Sequence, residues 1–202
     1  MGLISNGTTI FDNGAMASGF GGNMIFISSQ TASASASISF TTGIDSTYKE
    51  YVFYFVNMHP ATDAVDFQFN LSTDGGANYN VTKTTTFFRA RNPEGPSTGT
   101  LSYVLGDDLA QSANFQRLNA GSIGNGADES VSGTLTLFNP SSTTFVKHFI
   151  ATTNSYGSAN VSVHSYVAGY GNTTSAINAI QFIMSSGNID AGTIKMYGIK
   201  GS

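Results

Sequence analysis

The chain has no cysteine and no tryptophan, only four prolines, and charged side chains at just 10% of its positions. Without cysteine there are no disulfides and no thiolate metal sites, so stability has to come from packing or from association with other subunits. Ordinary globular chains carry about 25% charge. The polar surface here must therefore consist of hydroxyls and amides, which suit tight packing against other copies or against sugars. Eight basic residues face twelve acidic ones, for a net charge of −4. The basic residues are scattered, which excludes the phosphate-neutralising stripe expected of a nucleic-acid partner. Long apolar runs are missing too. No stretch approaches the length of a bilayer span, and residues 1–17 have neither a basic n-region nor an apolar h-region, so the expectation is cytosolic synthesis without a membrane. Asn6 stands where a myristoylation signal needs Ser or Thr. The sequons at Asn6, Asn70, Asn80, Asn160 and Asn172 are what a chain rich in Asn, Ser and Thr makes by chance.

What is present suits an all-β protein. With 202 residues, 40% hydrophobic and 12% aromatic, the chain is large enough for one sizeable core, and 23 glycines supply turns. Residues 1–23 hold only isolated apolar side chains among glycines and read as an N-terminal arm, with Phe11 and Phe20 as its candidate anchors on a partner. From Met24 the pattern alternates. Strands are predicted around Ile25 and Ile27, Ile38 and Phe40, Tyr48 to His59, Val65 to Leu71, Tyr79 to Arg91, and Leu101 to Leu105. Four more run from Val131 to Phe138, Phe145 to Thr153, Val161 to Tyr170 and Ile177 to Met184, and a last one from Thr193 to Ile199. Between them, Asp107 offers a cap for a single helical turn, while Phe115 to Asn119 looks like an edge strand. Strands at this spacing, with no long helix, predict a single antiparallel β-sandwich or jelly roll over residues 24–202.

Alternation predicts a core of Val52, Tyr54, Val56, Phe67, Phe69, Leu135, Leu137, Val161, Val163, Phe182 and Met196. The strand from Tyr48 is apolar on both faces. Tyr51, Phe53 and Phe55 then form a second face for a subunit contact, which predicts a closed homo-oligomer, with a trimer as the expected form.

Motifs for chemistry are sparse. Ser72 to Tyr79 resembles the Asp-box of sialidases and other propeller proteins, although it occurs once and carries Asn78 and Tyr79 where the motif has Thr and Trp. Its turn chemistry accounts for every residue, and it predicts a hairpin in which the strand from Tyr79 returns along the strand ending at Leu71. His59, His148 and His164 fall on separate strands without metal-ligand spacing. The pairs Asp107 with Asp108 and Asp128 with Glu129 offer hard oxygen ligands for calcium, but they lack a repeated or EF-hand pattern and read as solvated loops. A glycosidase would draw on Glu50, Asp66, Glu94 and Glu129, with Tyr79, Tyr103 and Tyr156 as sugar platforms. None of these stands in a catalytic motif, and neither a serine-hydrolase elbow nor a phosphate-binding loop occurs. No catalytic residue, metal ligand or cofactor is assigned.

Read from end to end, the chain resembles β-rich virion proteins of tailed phages of marine bacteria, of the cyanophage and pelagiphage type. The resemblance rests on Met1-Gly-Leu-Ile-Ser-Asn-Gly-Thr-Thr-Ile10, Tyr48-Lys-Glu-Tyr-Val-Phe53, Ser72-Thr-Asp-Gly-Gly76, Leu137-Phe-Asn-Pro-Ser-Ser142, Ser175-Ala-Ile-Asn-Ala-Ile180 and Gly192-Thr-Ile-Lys-Met-Tyr-Gly-Ile199. It implies a virion protein, not an enzyme: a capsid decoration, cement or head-fibre protein on the particle exterior, with the major capsid protein or a tail protein as partner. Two alternatives stay open, a tail-fibre module that recognises a host-surface glycan and a polysaccharide-degrading virion enzyme.

Overall fold

The computed structural model describes residues 3–6, 8–12, 15–16 and 23–201, and among these there is no helix. Three short strands near the start, β1 (Leu3–Ser5), β2 (Thr8–Asp12) and β3 (Ala15–Met16), pair antiparallel with one another and with no other strand. The segment read as an arm thus carries a small meander, a step too short for alternation to reveal. Phe11 lies in β2 opposite Leu3 and Met16. Its side chain, and Phe20 altogether, lie outside the described residues.

The body is an antiparallel sandwich of unequal sheets. Twelve strands build it: β4 (Met24–Thr31), β5 (Ile38–Phe40), β6 (Glu50–Pro60), β7 (Phe67–Ser72), β8 (Lys83–Pro93), β9 (Thr100–Tyr103), β10 (Gln116–Arg117), β11 (Val131–Phe138), β12 (Lys147–Gly157), β13 (Val161–Gly171), β14 (Ala179–Met184) and β15 (Ile189–Ile199). Eight form one sheet in the order β4-β15-β6-β11-β12-β13-β8-β9, and four form the other in the order β10-β7-β14-β5. The small sheet covers only part of the large one, with its outward side chains partly capped by loops. Alternation dictates the inner face: Val161, Val163 and Val167 of β13 point inward while Ser162, His164 and Tyr166 point out.

Aromatic rings lock the two layers together. Phe182 of β14 lies 5.7 Å from Phe53, 5.2 Å from Phe55 and 5.8 Å from Phe67, and Phe69 meets Phe149 edge-on at 5.0 Å. All six are buried. Of the predicted core, Phe67, Phe69, Leu135, Leu137, Val161, Val163, Phe182 and Met196 lie inside.

The face of β6 is the reverse of the one predicted. Tyr51, Phe53 and Phe55 are buried in the chain's own core, at 2% exposure or less, and are no surface for a subunit contact, whereas Val52, Tyr54 and Val56 project to the outer face, where Val52 is still buried by its neighbours, Tyr54 is half-buried and Val56 is exposed. The neighbouring strand sets the orientation: Leu135 stands opposite Phe53 and Leu137 opposite Tyr51, so the inward leucines bring those aromatics inward with them. Tyr51 keeps its hydroxyl satisfied at the core's end by donating to the Asp45 carbonyl at 3.1 Å and accepting from the Asp45 amide at 3.0 Å.

The predicted hairpin is also corrected. β7 belongs to the small sheet, between β10 and β14, and β8 to the large sheet, between β13 and β9, so the Ser72 to Tyr79 turn is an arch from one layer to the other. Its chemistry is self-contained. Ser72 Oγ accepts the amides of Asp74 and Gly76, Asp74 Oδ1 accepts the Asn78 amide at 2.9 Å, and Gly75 and Gly76 take φ of 76° and 92°. Such a turn reverses the chain whichever sheet the second strand joins. The candidate helical turn after Asp107 is irregular, and β10 is the edge strand that the Phe115 to Asn119 pattern predicts.

Candidate functional site

One face of the molecule stands apart: the outer face of the large sheet. Register places Tyr197, Val52, Thr136, Ile150, Ala168 and Thr86 in one row across six strands. The adjacent row holds Lys195, Tyr54, Thr134, Thr152, Tyr166, Phe88 and Tyr103. These two rows carry a single charge, that of Lys195. Ten large hydrophobic side chains are exposed among the described residues, and seven of them, Met24, Phe26, Val56, Phe88, Leu101, Tyr103 and Ile150, lie on this face. Scattered exposed hydrophobics are ordinary, but a contiguous apolar field of this kind marks a contact surface.

The rings on this face are ordered by contacts with each other. Tyr197 packs edge-on against both Phe26 and Tyr54 at 5.6 Å, and Tyr166 is stacked between Phe88 at 4.7 Å and His164 at 4.3 Å. At the free edge the Tyr103 hydroxyl donates to Asp108 at 2.6 Å, and that bond raises the phenol above its ordinary pKa. Between the strands opens a shallow groove of about 460 Å³, with Ala168 as its floor and Phe138, His148, Ile150 and Tyr170 as walls, beside the hydroxyls of Thr84 and Thr86. The floor is low because Ala168 carries only a methyl group between Ile150 and Thr86, its partners on the two neighbouring strands.

The polar residues singled out from the sequence are spread over the molecule. Asp66 and Asp107 converge on Arg117, at 3.3 and 2.5 Å, and burial raises the Asp66 pKa against the lowering effect of that guanidinium. Glu129 accepts the Gly126 amide at 2.6 Å, and its backbone carbonyl accepts a hydrogen bond from His59 Nδ1 at 2.6 Å. Glu50 and Glu94 are exposed, the first at the margin of the outer face and the second in the β8–β9 loop. His148 lines the groove and His164 stacks on Tyr166, so the three histidines do not meet. Among the described residues no three His, Asp or Glu side chains gather as metal ligands.

Sequence reasoning missed two buried lysines. Lys83 and Lys147 flank Gly171 in one inward-facing row at an end of the sandwich, both shut from solvent. Lys83 Nζ donates to Asn70 Oδ1 at 2.5 Å and to the Val81 carbonyl at 2.8 Å, while Lys147 Nζ donates to the carbonyls of Phe145 and Thr173. Among the described residues no carboxylate pairs with either. Burial lowers the Lys83 pKa to about 7 and lowers that of Lys147 in the same direction. Their inward parity was legible in the alternation Lys83, Thr85, Phe87, but a lysine is expected to snorkel outward.

Compared with known proteins, the chain matches no family model, no curated protein and no solved structure.

Proposed function

We propose that this chain is a non-enzymatic structural protein of a bacteriophage particle, attached to the particle exterior as a capsid decoration, cement or head-fibre protein. The observation that carries this reading is the outer face of the large sheet. A field of aromatic, aliphatic and threonine side chains with one lysine in its two central rows suits lasting burial against protein neighbours, because little charge has to be desolvated. On this reading the subunit contact of a homo-oligomer, with a trimer as the expected form, falls on Tyr54, Val56 and Tyr197 in place of the buried Tyr51, Phe53 and Phe55. The arm up to Asn23 then reaches the major capsid protein or a tail protein of the same virion. Light scattering on the full chain tests the contact: Tyr54→Lys combined with Val56→Glu should turn the oligomer into a folded monomer. A wild-type chain that is monomeric at micromolar concentration overturns this account of the face.

A second reading, a tail-fibre module that binds a host-surface glycan, is favoured by the groove over Ala168. Its walls combine aromatic rings with hydroxyls and an imidazole, the mixture that holds a neutral sugar ring by stacking and hydrogen bonds. Glycan-array binding lost on Tyr170→Ala, with the oligomer intact, favours this reading. Loss of particle incorporation on the double substitution, with no glycan bound by the wild type, favours the first.

A further inference from the structure

Apart from the outer face, the described residues build a polar site around two arginines. Of the eight basic residues, Lys83 and Lys147 are buried against carbonyls and Arg117 is held by two carboxylates. Two of the remaining five, Arg89 and Arg91, sit two positions apart on β8, on its inner side, opposite Ser165 and Val163 of β13. They line one small cavity of about 200 Å³ with Gly121, Ser122, Gly157 and Ser158.

Neither guanidinium has a carboxylate partner among the described residues, although the protein as a whole is acidic. Arg89 Nε is shut off from solvent and has no hydrogen-bond acceptor. A buried donor on a permanent cation is costly to leave unmatched, and a second cation beside it adds repulsion. The surrounding backbone is arranged around the gap. Gly121 takes φ of 74° and approaches the Arg89 guanidinium, and the Ser158 amide donates to the Ser122 carbonyl at 3.2 Å, which ties the two serine-bearing loops together. The volume lies below the range of about 300 to 1,000 Å³ that encloses a drug-sized ligand. It fits a single charged group carried on something larger.

We propose that Arg89 and Arg91 form a binding site for an oxyanion, a carboxylate, sulfate ester or phosphate group borne by a ligand that reaches this end of the sandwich. The planar fork of one guanidinium takes two oxygens of such a group, the second guanidinium neutralises it, and Ser122 and Ser158 line the same cavity. The site lies on the inner side of β8, away from the outer face, so it stands whichever reading of that face holds.

The test is a titration of the full chain at constant ionic strength with glucuronate, glucose 6-sulfate, glucose 6-phosphate and neutral glucose, followed through the arginine Nε–H resonances. A saturable shift of the Arg89 resonance with at least one of the three anions, and none with glucose, is the expected result, and the ranking of the three identifies the group. Arg91→Gln should weaken binding about 10- to 100-fold. Lys195→Gln removes the same charge from the outer face and should leave binding unchanged. Arg89→Lys keeps the charge without the fork and should bind more weakly than wild type. Absence of any saturable shift, equal response to glucose, or equal weakening by Lys195→Gln overturns the proposal. Because the wild-type titration needs no variant, an Arg89 variant that fails to fold does not remove the test.

Discussion

Lys83 is the residue at which the physics is most exposed. A lysine in an unfolded chain keeps its proton to about pH 10.4, whereas in the folded protein burial makes Lys83 release it near pH 7. Between those values the unfolded state binds the extra proton, so stability rises with pH there, by up to about 1.4 kcal/mol per pH unit for one such group. Below about pH 7 both states are protonated and Lys83 contributes no slope. Lys147 acts in the same direction. Urea midpoints should therefore climb from pH 7 to pH 9 or so, and Lys83→Met should remove much of that climb. A wild-type midpoint that falls across the interval would contradict an unpaired buried amine. Phe182 makes the complementary case for an apolar residue. It touches Phe40, Phe53, Phe55, Phe67 and Phe69, so Phe182→Ala leaves a gap that rings on both sheets border and that cannot close without moving them. The expected loss is about 3 to 5 kcal/mol by chemical denaturation.

At the scale of single strands, β6 and the arch after β7 explain what was legible in the sequence and what was not. Alternation located nearly every strand of the body, because a half-buried strand writes its two faces into alternate positions. It could not orient β6, where Val52, Tyr54 and Val56 are as apolar as Tyr51, Phe53 and Phe55. Only pairing with Leu135 and Leu137 decides the face, and pairing is long-range. Phe53→Ala should accordingly cost about 3 to 5 kcal/mol, while Tyr54→Ser, which loses an edge contact with Tyr197, should cost about 1 kcal/mol in the monomer. Equal losses would mean that β6 is turned the other way. The arch carries the same lesson for topology. Ser72, Asp74 and Gly76 specify a reversal but not the sheet that the returning strand joins. Hydrogen bonds from Ser72 and Asn78 hold the Asp74 carboxyl at a pKa of about 2. Its depressed value makes the turn's support complete above about pH 4 and lost as pH falls toward 2, which amide exchange at Asn78 would report. The candidate surfaces were the least legible. The row of Tyr54 with Tyr166 and Phe88 does not exist until five strands are in register, and the cavity that Arg89 and Arg91 line from β8 does not exist until the segments of Gly121 and Gly157 close on it.

At the scale of the whole molecule, charge and apolar surface are separated, and this separation drives the last prediction. The acid–arginine network sits at the small sheet's edge and the acidic loops at the ends of the sandwich, while the large sheet's outer face is left nearly free of charge. A protein with 10% charged residues and such a face has little to keep it soluble alone at high concentration, and burial against a neighbour relieves that exposure. Among the described residues the strands before Asn23 pair only with one another, so no described ladder of the sandwich is broken if they are removed. Deleting residues 1–22 should therefore leave a cooperatively folding body with an unchanged oligomeric state and an undiminished thermal midpoint. It should also abolish incorporation into particles when the truncated chain competes with wild type during assembly. Glu94→Gln, at an exposed loop carboxylate, should leave incorporation intact. Quantitative mass spectrometry of purified particles measures both. Full occupancy by the truncated chain would move the attachment from the arm to the sheet, and would make the uncharged outer face itself the surface that meets the particle.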